Sequence, residues 1–444
     1  MPFLTFDPLT SSLGDIAAVA DVGRVAESTG AGFLVSGLTQ QCSLGDRLEI
    51  HASGGGVVGA EVLRLSGRGL TVQPDGPVRG IALGDPVVLR RQAGFCPDIS
   101  WLGRVIDPDG VPLDGRSLMK GPRNYPQNAL PPPATKRRGL GQRLETGMRL
   151  FNTMLPLVRG QRLGLFAGSG IGKSTLIGKF AANVDTDVTV IALVGERGRE
   201  VRDFVENKIG PEGMARSVVV AATSDRSALE KRRAALSAMA VAEFFRDAGR
   251  QVLLVVDSIT RFAEAHREVA LSAGEGASMR GFPPSTSQMI MSLCERAGPG
   301  IGGTGDITAL FSVLVAGSDM EEPVADIIRG VLDGHVVLDR AIAERGRFPA
   351  VDVSRSVSRA LPQAASAAEN TLIADARRVL GAWESAELMI QAGLYAAGSD
   401  PATDRAIRLQ PGLGRFFAED EPGHAADSFR ALAGALDVQF DADG

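Results

Sequence analysis

Between residues 160 and 350 the chain alternates short apolar runs with longer mixed segments. Arg162–Ala167, Val188–Val194, Val218–Ala222, Val252–Val256 and Ala309–Ala316 are the candidate strands. Strands alternating with helices predict a mostly parallel sheet. Between the third and fourth runs, Asp225 reads as the N-cap of a helix reaching Asp247, with Gly249 just past its end. From about residue 20 to 91 the pattern differs: brief apolar runs such as Gly-Phe-Leu-Val-Ser-Gly and Gly-Asp-Pro-Val-Val-Leu recur between Gly-Asp and Pro-Asp turns. That even spacing predicts a small antiparallel barrel. After about residue 365 the chain becomes alanine-rich and helical, with Leu380, Trp383, Leu388 and Leu394 expected on the core side.

The expected architecture is therefore α/β, with a small β-barrel before the parallel-sheet core and a helical domain after it. The boundaries fall at 1–20 for an N-terminal segment, 21–91 for the barrel, 92–365 for the core and 366–444 for the helical domain. Lys120 to Arg143 holds Pro122, Pro126 and Pro131 to Pro133, followed by Lys136-Arg137-Arg138. It reads as a connector whose basic triplet is a solvated linker rather than a nucleic-acid patch. No repeat or low-complexity tract appears, and the acidic tail from Asp437 is expected to fray.

The strand–turn–helix passage Gly164-Leu-Phe-Ala-Gly-Ser-Gly-Ile-Gly-Lys-Ser-Thr175 carries the clearest chemistry. Gly168, Gly170 and Gly172 can take positive φ and turn backbone N–H groups toward an anion. Lys173 would reach the β- and γ-phosphates of a nucleotide and Ser174 would bind Mg²⁺, with Ser169, Ile171 and Thr175 completing the loop. Ala167 replaces the first glycine of the strict motif, a minimal change.

Composition narrows the field. Of 444 residues 44% are apolar, and 47 basic against 52 acidic residues leave a net charge of −5. That balance argues against binding nucleic acid or an anionic membrane by bulk charge. Aromatics are 5%, a poor supply of stacking platforms for single strands. Cys42, Cys96 and Cys294 lack metal spacing and read as reduced thiols of a cytosolic protein. The four histidines are scattered and read as structural or solvated. No run is long enough for a membrane helix and no signal-peptide pattern opens the chain, so any membrane association is expected to be peripheral.

Two strand ends supply further candidates. Gln251-Val-Leu-Leu-Val-Val ends in Asp257, a position suited to holding Mg²⁺ and its waters, or to capping the next turn. Val188–Val194 leads into Gly195-Glu196-Arg197-Gly198-Arg199-Glu200. Strand C-termini of a parallel sheet share one edge, which would bring Glu196 near the γ-phosphate as proton acceptor and Arg197 within reach of it. The alternative is a charged, solvated loop.

Gly195-Glu196-Arg197-x-Arg199-Glu200, Asp257-Ser-Ile-Thr-Arg261 and Pro349-Ala-Val-Asp352-x-x-x-Ser356-Val-Ser358-Arg359 resemble the catalytic subunits of rotary ATPases. More narrowly, Asp326-Ile-Ile-Arg-Gly-Val-Leu-Asp-Gly-His335-Val-Val-Leu and Ala397-Gly-Ser-Asp-Pro401-x-x-Asp404-x-Ala-Ile407 are similar to the flagellar and virulence type III secretion ATPases. The similarity spans nearly the whole chain and includes Gly103-Arg104-Val-Ile-Asp-Pro-Asp-Gly. It implies a RecA-like P-loop core, ATP and Mg²⁺ as cofactors, and hydrolysis coupled to protein export. It makes Glu196 the catalytic carboxylate, Arg197 and Arg261 phosphate-side arginines, and Arg359 a finger reaching into a neighbouring subunit's site. Phe348 falls where the family packs a ring on adenine, although a core position is equally open.

The resemblance also implies a ring of identical copies, most simply a homohexamer, at the cytoplasmic face of a flagellar basal body. Its partners would be a regulator or stator protein held by the N-terminal segment, a central stalk protein, the export gate and substrate–chaperone complexes; nucleic acid is not expected. The other readings are the same machine serving a virulence injectisome, a non-catalytic nucleotide-binding ring subunit, and an RNA helicase with a similar core. Two departures stand out. Gly274-Glu275-Gly276-Ala-Ser-Met-Arg280-Gly-Phe-Pro-Pro284 lacks the family's first Pro-Pro where relatives face the ring centre. Around Phe416-Phe417 the usual Phe-Leu-x-Gln is blurred, which bears on the adenine pocket.

Overall fold

The computed structural model describes residues 20–30, 32–76, 78–90, 94–168, 170–278, 281–315, 321–421 and 423–440. Residues 1–19 of the N-terminal segment expected to hold a regulator, Ser169, Arg280 and the last four residues of the acidic tail lie outside them.

Six short strands form the barrel: β1 (Val22–Thr29), β2 (Gly32–Ser36), β3 (Arg47–His51), β4 (Val57–Ser66), β5 (Gly69–Pro74) and β6 (Pro86–Leu89). They close in the order β1-β2-β5-β4-β3-β6, every pair antiparallel. Closure removes sheet edges. Alternate side chains, among them Val35, Ile50, Leu70, Val72 and Val87, point inward and are fully buried.

The core sheet contains β7 (Arg104–Ile106), β8 (Arg162–Ala167), β9 (Val188–Glu196), β10 (Ser217–Thr223), β11 (Val252–Asp257), β12 (Ile307–Leu314), β13 (Gly334–Leu338) and β14 (Val351–Ser358). Their order is β14-β13-β8-β12-β11-β9-β10-β7. Neighbours run parallel except β13 and β14. The apolar runs predicted strands within two residues at each end, because fully buried strands need apolar residues on both faces.

The helices are α1 (Arg149–Thr153), α2 (Lys173–Asn183), α3 (Gly198–Asp203), α4 (Gly210–Ala215), α5 (Ala228–Asp247), α6 (Ile259–Ser272), α7 (Ser285–Arg296), α8 (Pro323–Val331), α9 (Arg340–Glu344), α10 (Ala367–Gln391), α11 (Pro401–Ala418) and α12 (Ala425–Ala435). Ile191 and Leu193 of β9 pack with α2 and the C-terminal helices, while Val190, Ala192 and Val194 pack with α5, α6 and α7 on the other face.

Three expectations are corrected. The N-cap of α5 is Ser227, not Asp225: Ser227 accepts from the Glu230 N–H while the Glu230 carboxylate accepts from the Ser227 N–H. This reciprocal pair satisfies two helix-end donors, more than a lone aspartate two residues earlier could. The basic triplet is not a free linker. The Arg137 guanidinium donates to the Ala297 carbonyl at 3.0 Å, and that of Arg138 to Asp306 at 2.7 Å and to the Thr304 carbonyl at 2.6 Å. Guanidinium forks satisfy loop carbonyls that no strand pairs. Finally, Leu380 is buried and Trp383 packs on the core, but Leu388 and Leu394 are 82% and 78% exposed. Leu388 lies in the last turn of α10 and Leu394 beyond its end, so periodicity alone overstated the buried face.

The barrel is fixed to the core by charge. Arg233 of α5, 4% exposed, donates to Asp75 at 2.7 Å and to Asp109 at 2.8 Å and stands 3.7 Å from Glu61. Arg47 of β3 pairs with the same Asp75, and Arg232 with Glu61. Burial raises the Asp75 pKa, but the Arg47 hydrogen bond and the Arg233 charge outweigh it and hold the carboxyl below its usual range. Removing one partner of such a cluster strands the others in a low dielectric. Arg233→Ala should therefore lower stability by about 3–5 kcal/mol in urea unfolding, whereas Glu27→Ala, at the exposed Glu27–Arg68 pair, should cost less than about 1 kcal/mol. Equal effects from the two substitutions would contradict this account.

Candidate active site

The phosphate-loop sequence connects β8 to α2. Gly170 and Gly172 adopt φ of 77° and 87°, left-handed values that glycine takes without strain. Gly172 is the N-cap of α2, and no side chain caps that helix. By contrast Ser227, Ser258, Ser366 and Asp400 cap α5, α6, α10 and α11. The uncapped first-turn N–H groups, with the helix dipole, form a natural seat for an anion. Ser174 and Thr175 are exposed in this first turn, whereas Ile171 is buried and anchors the loop in the core. The donor set fits a nucleotide phosphate with its divalent ion.

Three charged side chains converge beside the loop. Asp257 ends β11 and is 2% exposed; Lys173 Nζ donates to its Oδ1, and Ser312 Oγ of the adjacent β12 donates to the same oxygen at 2.5 Å. Glu196 ends β9, next to β11, and its Oε1 lies 3.9 Å from Lys173 Nζ. Burial, and next the Asp257 carboxylate, push the Glu196 pKa up to about 7, against the pull of Lys173. A carboxyl poised there takes and returns a proton at neutral pH.

The arginines are disposed differently. Arg197 is the exposed N-cap residue of α3 and pairs with Glu200 at 3.4 Å. The Arg261 stem packs against Gly195, where an added Cβ would stand 3.6 Å away, while its guanidinium pairs with Glu264 at 2.8 Å. No hydrogen bond among the described residues joins either arginine to Lys173, Asp257 or Glu196. Arg359 follows β14 and is exposed; its N–H donates to the Asp333 carbonyl at 3.0 Å, and the Asp333 N–H donates to Arg162 at the start of β8. Arg359 thus lies at the opposite edge of the sheet from the phosphate loop. The six residues of β8 separate the two by about 16 Å at roughly 3.3 Å per residue.

Phe348 is 52% exposed, and a Cβ on Gly172 would stand 3.4 Å from its Cδ1, so the ring flanks the loop rather than filling the core. Phe416 and Phe417 are both buried. Sequence reasoning missed Ser312, although a hydroxyl inside the apolar run of β12 was the available signal. It also missed Thr260, whose Oγ1 accepts from the Leu314 N–H at 2.9 Å and ties α6 to the end of β12. His266 and His335 are structural as expected, bonded to Ser285 Oγ at 2.8 Å and to the Arg355 carbonyl at 3.0 Å.

Comparison with known proteins agrees with this geometry. Residues 147–358 match the ATP synthase alpha/beta family nucleotide-binding domain, and residues 365–433 match the C-terminal domain of the type III secretion ATPase EscN. The flagellum-specific ATP synthase of Caulobacter vibrioides is 44% identical over 94% of this chain and 96% of its own length. The assembled ATPase EscN from the enteropathogenic E. coli type III secretion system superposes with a TM-score of 0.85 at 33% identity, covering 93% of this chain and all of that one. EscN in complex with its central stalk EscO superposes with a TM-score of 0.83 at 32% identity, with the same coverage. With the phosphate loop, the paired carboxylates and this similarity along nearly the whole chain, the protein belongs to the family of flagellum-specific ATP synthases and type III secretion ATPases, P-loop enzymes that hydrolyse ATP.

Proposed function

We propose that this chain is the Mg²⁺-dependent ATPase of a flagellar protein-export apparatus, working as a ring of identical subunits, most simply a homohexamer. The observation that carries the ring is the split between edges. Lys173, Asp257 and Glu196 stand at one end of the sheet and Arg359 at the other, further apart than an arginine side chain spans. A site completed by Arg359 therefore belongs to two protomers.

Bound MgATP would supply the scissile phosphoryl group and the divalent charge that offsets its oxygens. Lys173 and the backbone N–H groups of Gly170 and Gly172 would hold phosphate oxygens, Ser174 would ligate the ion, and Asp257 would hold the ion's waters. Glu196 accepts the proton of the nucleophile. Arg197 and Arg261 turn from their surface carboxylates to the phosphates, and Arg359 of the neighbouring copy meets the charge that develops on them. Phe348 flanks the base.

In this reading the chain divides into residues 1–20, 21–91, 92–365 and 366–444, the first segment holding a regulator. EscN's complex with a central stalk supports a stalk partner here, and the export gate and substrate–chaperone complexes complete the set. Among the described residues no helix is long and apolar enough to cross a membrane, which suits a peripheral place at the cytoplasmic face of the basal body. A virulence injectisome is the second reading, favoured by the likeness to EscN. Deleting the gene should abolish motility and leave effector secretion intact; the reverse outcome would reassign the apparatus.

Glu196→Gln should retain ATP binding and lose about 10²–10⁴ in kcat. The Glu196 pKa is raised and the ionised form is the base. In the wild type kcat/KM should therefore climb as pH rises through about 7 and level off above it; a flat profile would remove Glu196 as the base.

Neither Lys173→Ala nor Arg359→Ala should turn over alone, while rings mixed from the two should recover partial turnover at sites pairing an intact loop with an intact finger. Absence of recovery in rings of proven integrity would exclude a finger in trans.

A further inference from the structure

The Arg359 N–H shares its acceptor. The Asp333 carbonyl receives it at 3.0 Å and also receives the amide Nε2 of Gln161 at 3.2 Å. Gln161 is fully buried and all its donors and acceptors are engaged. Its Nε2 donates additionally to Ser358 Oγ at 3.0 Å, and its Oε1 accepts from the Val158 N–H at 3.0 Å. Ser358, immediately before Arg359, donates its own O–H to the Pro156 carbonyl at 2.7 Å. The Asp333 carboxylate is gripped by Arg162, whose backbone N–H and Nε donate to Oδ2 at 3.0 and 3.1 Å and whose Nη2 donates to Oδ1 at 3.2 Å. Both Gln161 and Arg162 sit where β8 begins, and β8 ends at the phosphate loop.

A buried amide with every polar atom satisfied tolerates little displacement, because each lost bond leaves a desolvated group unpaired. The backbone on either side of the Ser358–Arg359 peptide therefore takes its place from the first residues of β8. We infer that Gln161, acting with Ser358 and the Asp333 carbonyl, is the positioning residue of the arginine finger. It anchors the group that a protomer offers to its neighbour onto the same strand that carries that protomer's own phosphate loop. The inference rests on the reading of Arg359 as a finger acting in trans. It adds that β8 is a strut with a nucleotide contact at one end and a contact to the next site at the other.

Gln161→Met removes the amide at nearly constant volume, and Ser358→Ala removes the hydroxyl with less disturbance. Each should lower kcat by about 10- to 100-fold, the scale of a misplaced catalytic group. ADP affinity and ring assembly should stay within about twofold of wild type, because the phosphate loop is not touched. Ser358→Thr, which keeps the hydroxyl, should restore most of the lost turnover.

The distinguishing measurement is complementation. Gln161→Met protomers mixed with Lys173→Ala protomers should recover turnover, as Arg359→Ala protomers do, because the intact loop of the first then meets the intact finger of the second. If the Arg359→Ala mixture recovers and the Gln161→Met and Ser358→Ala mixtures do not, the two residues serve their own protomer's loop and the inference falls. Wild-type kcat in both variants would also overturn it. So would loss of assembly in both, which would make the cluster a scaffold and nothing more. If the Arg359→Ala mixture itself fails to recover, the finger reading is what has failed.

Discussion

The site depends on the direction of the strands. In a parallel sheet every strand delivers its C-terminal residue to one edge, and ligands bind there because helix N-termini and strand-end side chains gather at that edge. Here β8, β9 and β11 deliver the phosphate loop, Glu196 and Asp257. Only β14 runs against this direction, so the residue that follows it, Arg359, is carried to the opposite edge. If Arg359 is the finger proposed above, this one antiparallel strand divides the set of residues into two half-sites, and association of copies becomes a condition of catalysis.

Within the half-site, buried charges compensate one another. A carboxylate as enclosed as Asp257 must be paired and hydrogen-bonded, and Lys173 and Ser312 meet that need. Glu196 stands at the edge of this pair and accepts the consequence: it feels the Asp257 charge in a poorly solvated cleft, and its pKa climbs toward neutrality. Burial first, and then the position of a neighbouring acid, bring this carboxyl toward the pH at which the proposed base would work.

Much of this was legible in the chain. Glycines at the loop, apolar runs leading to Glu196 and Asp257, and the alternation of the barrel placed these elements, while the roles of Glu196 and Asp257 stayed open between chemistry and a solvated loop or turn cap. Contacts distant in sequence were not legible. Arg137 and Arg138 look like a solvated run until the loop carbonyls near residues 297 to 306 fold against them. Ser312 and Gln161 acquire meaning only when β12 comes beside β11 and β13 beside β8. Leu388 and Leu394 show the converse, since helical spacing says which residues share a face but not where the packing partner ends.

The arginines sort by the cost of moving them. Arg197 and Arg261 hold exposed partners at short helical spacing, pairs worth roughly 0.2–1 kcal/mol. A phosphate group offers more charge and more acceptors than either glutamate, so in the proposed site these two side chains would exchange partners at little cost as nucleotide arrives and leaves. Lys173 is held by a buried carboxylate, and its exchange is tied to what becomes of Asp257. Arg359 has an exposed side chain on a backbone fixed by Asp333, which gives a group that is rigid at its root and, among the described residues, without a hydrogen bond or ion pair at its tip. On the proposed reading, mobile arginines on the protomer's own side and a fixed one offered across the seam would keep binding reversible while the step after binding waits for the neighbour.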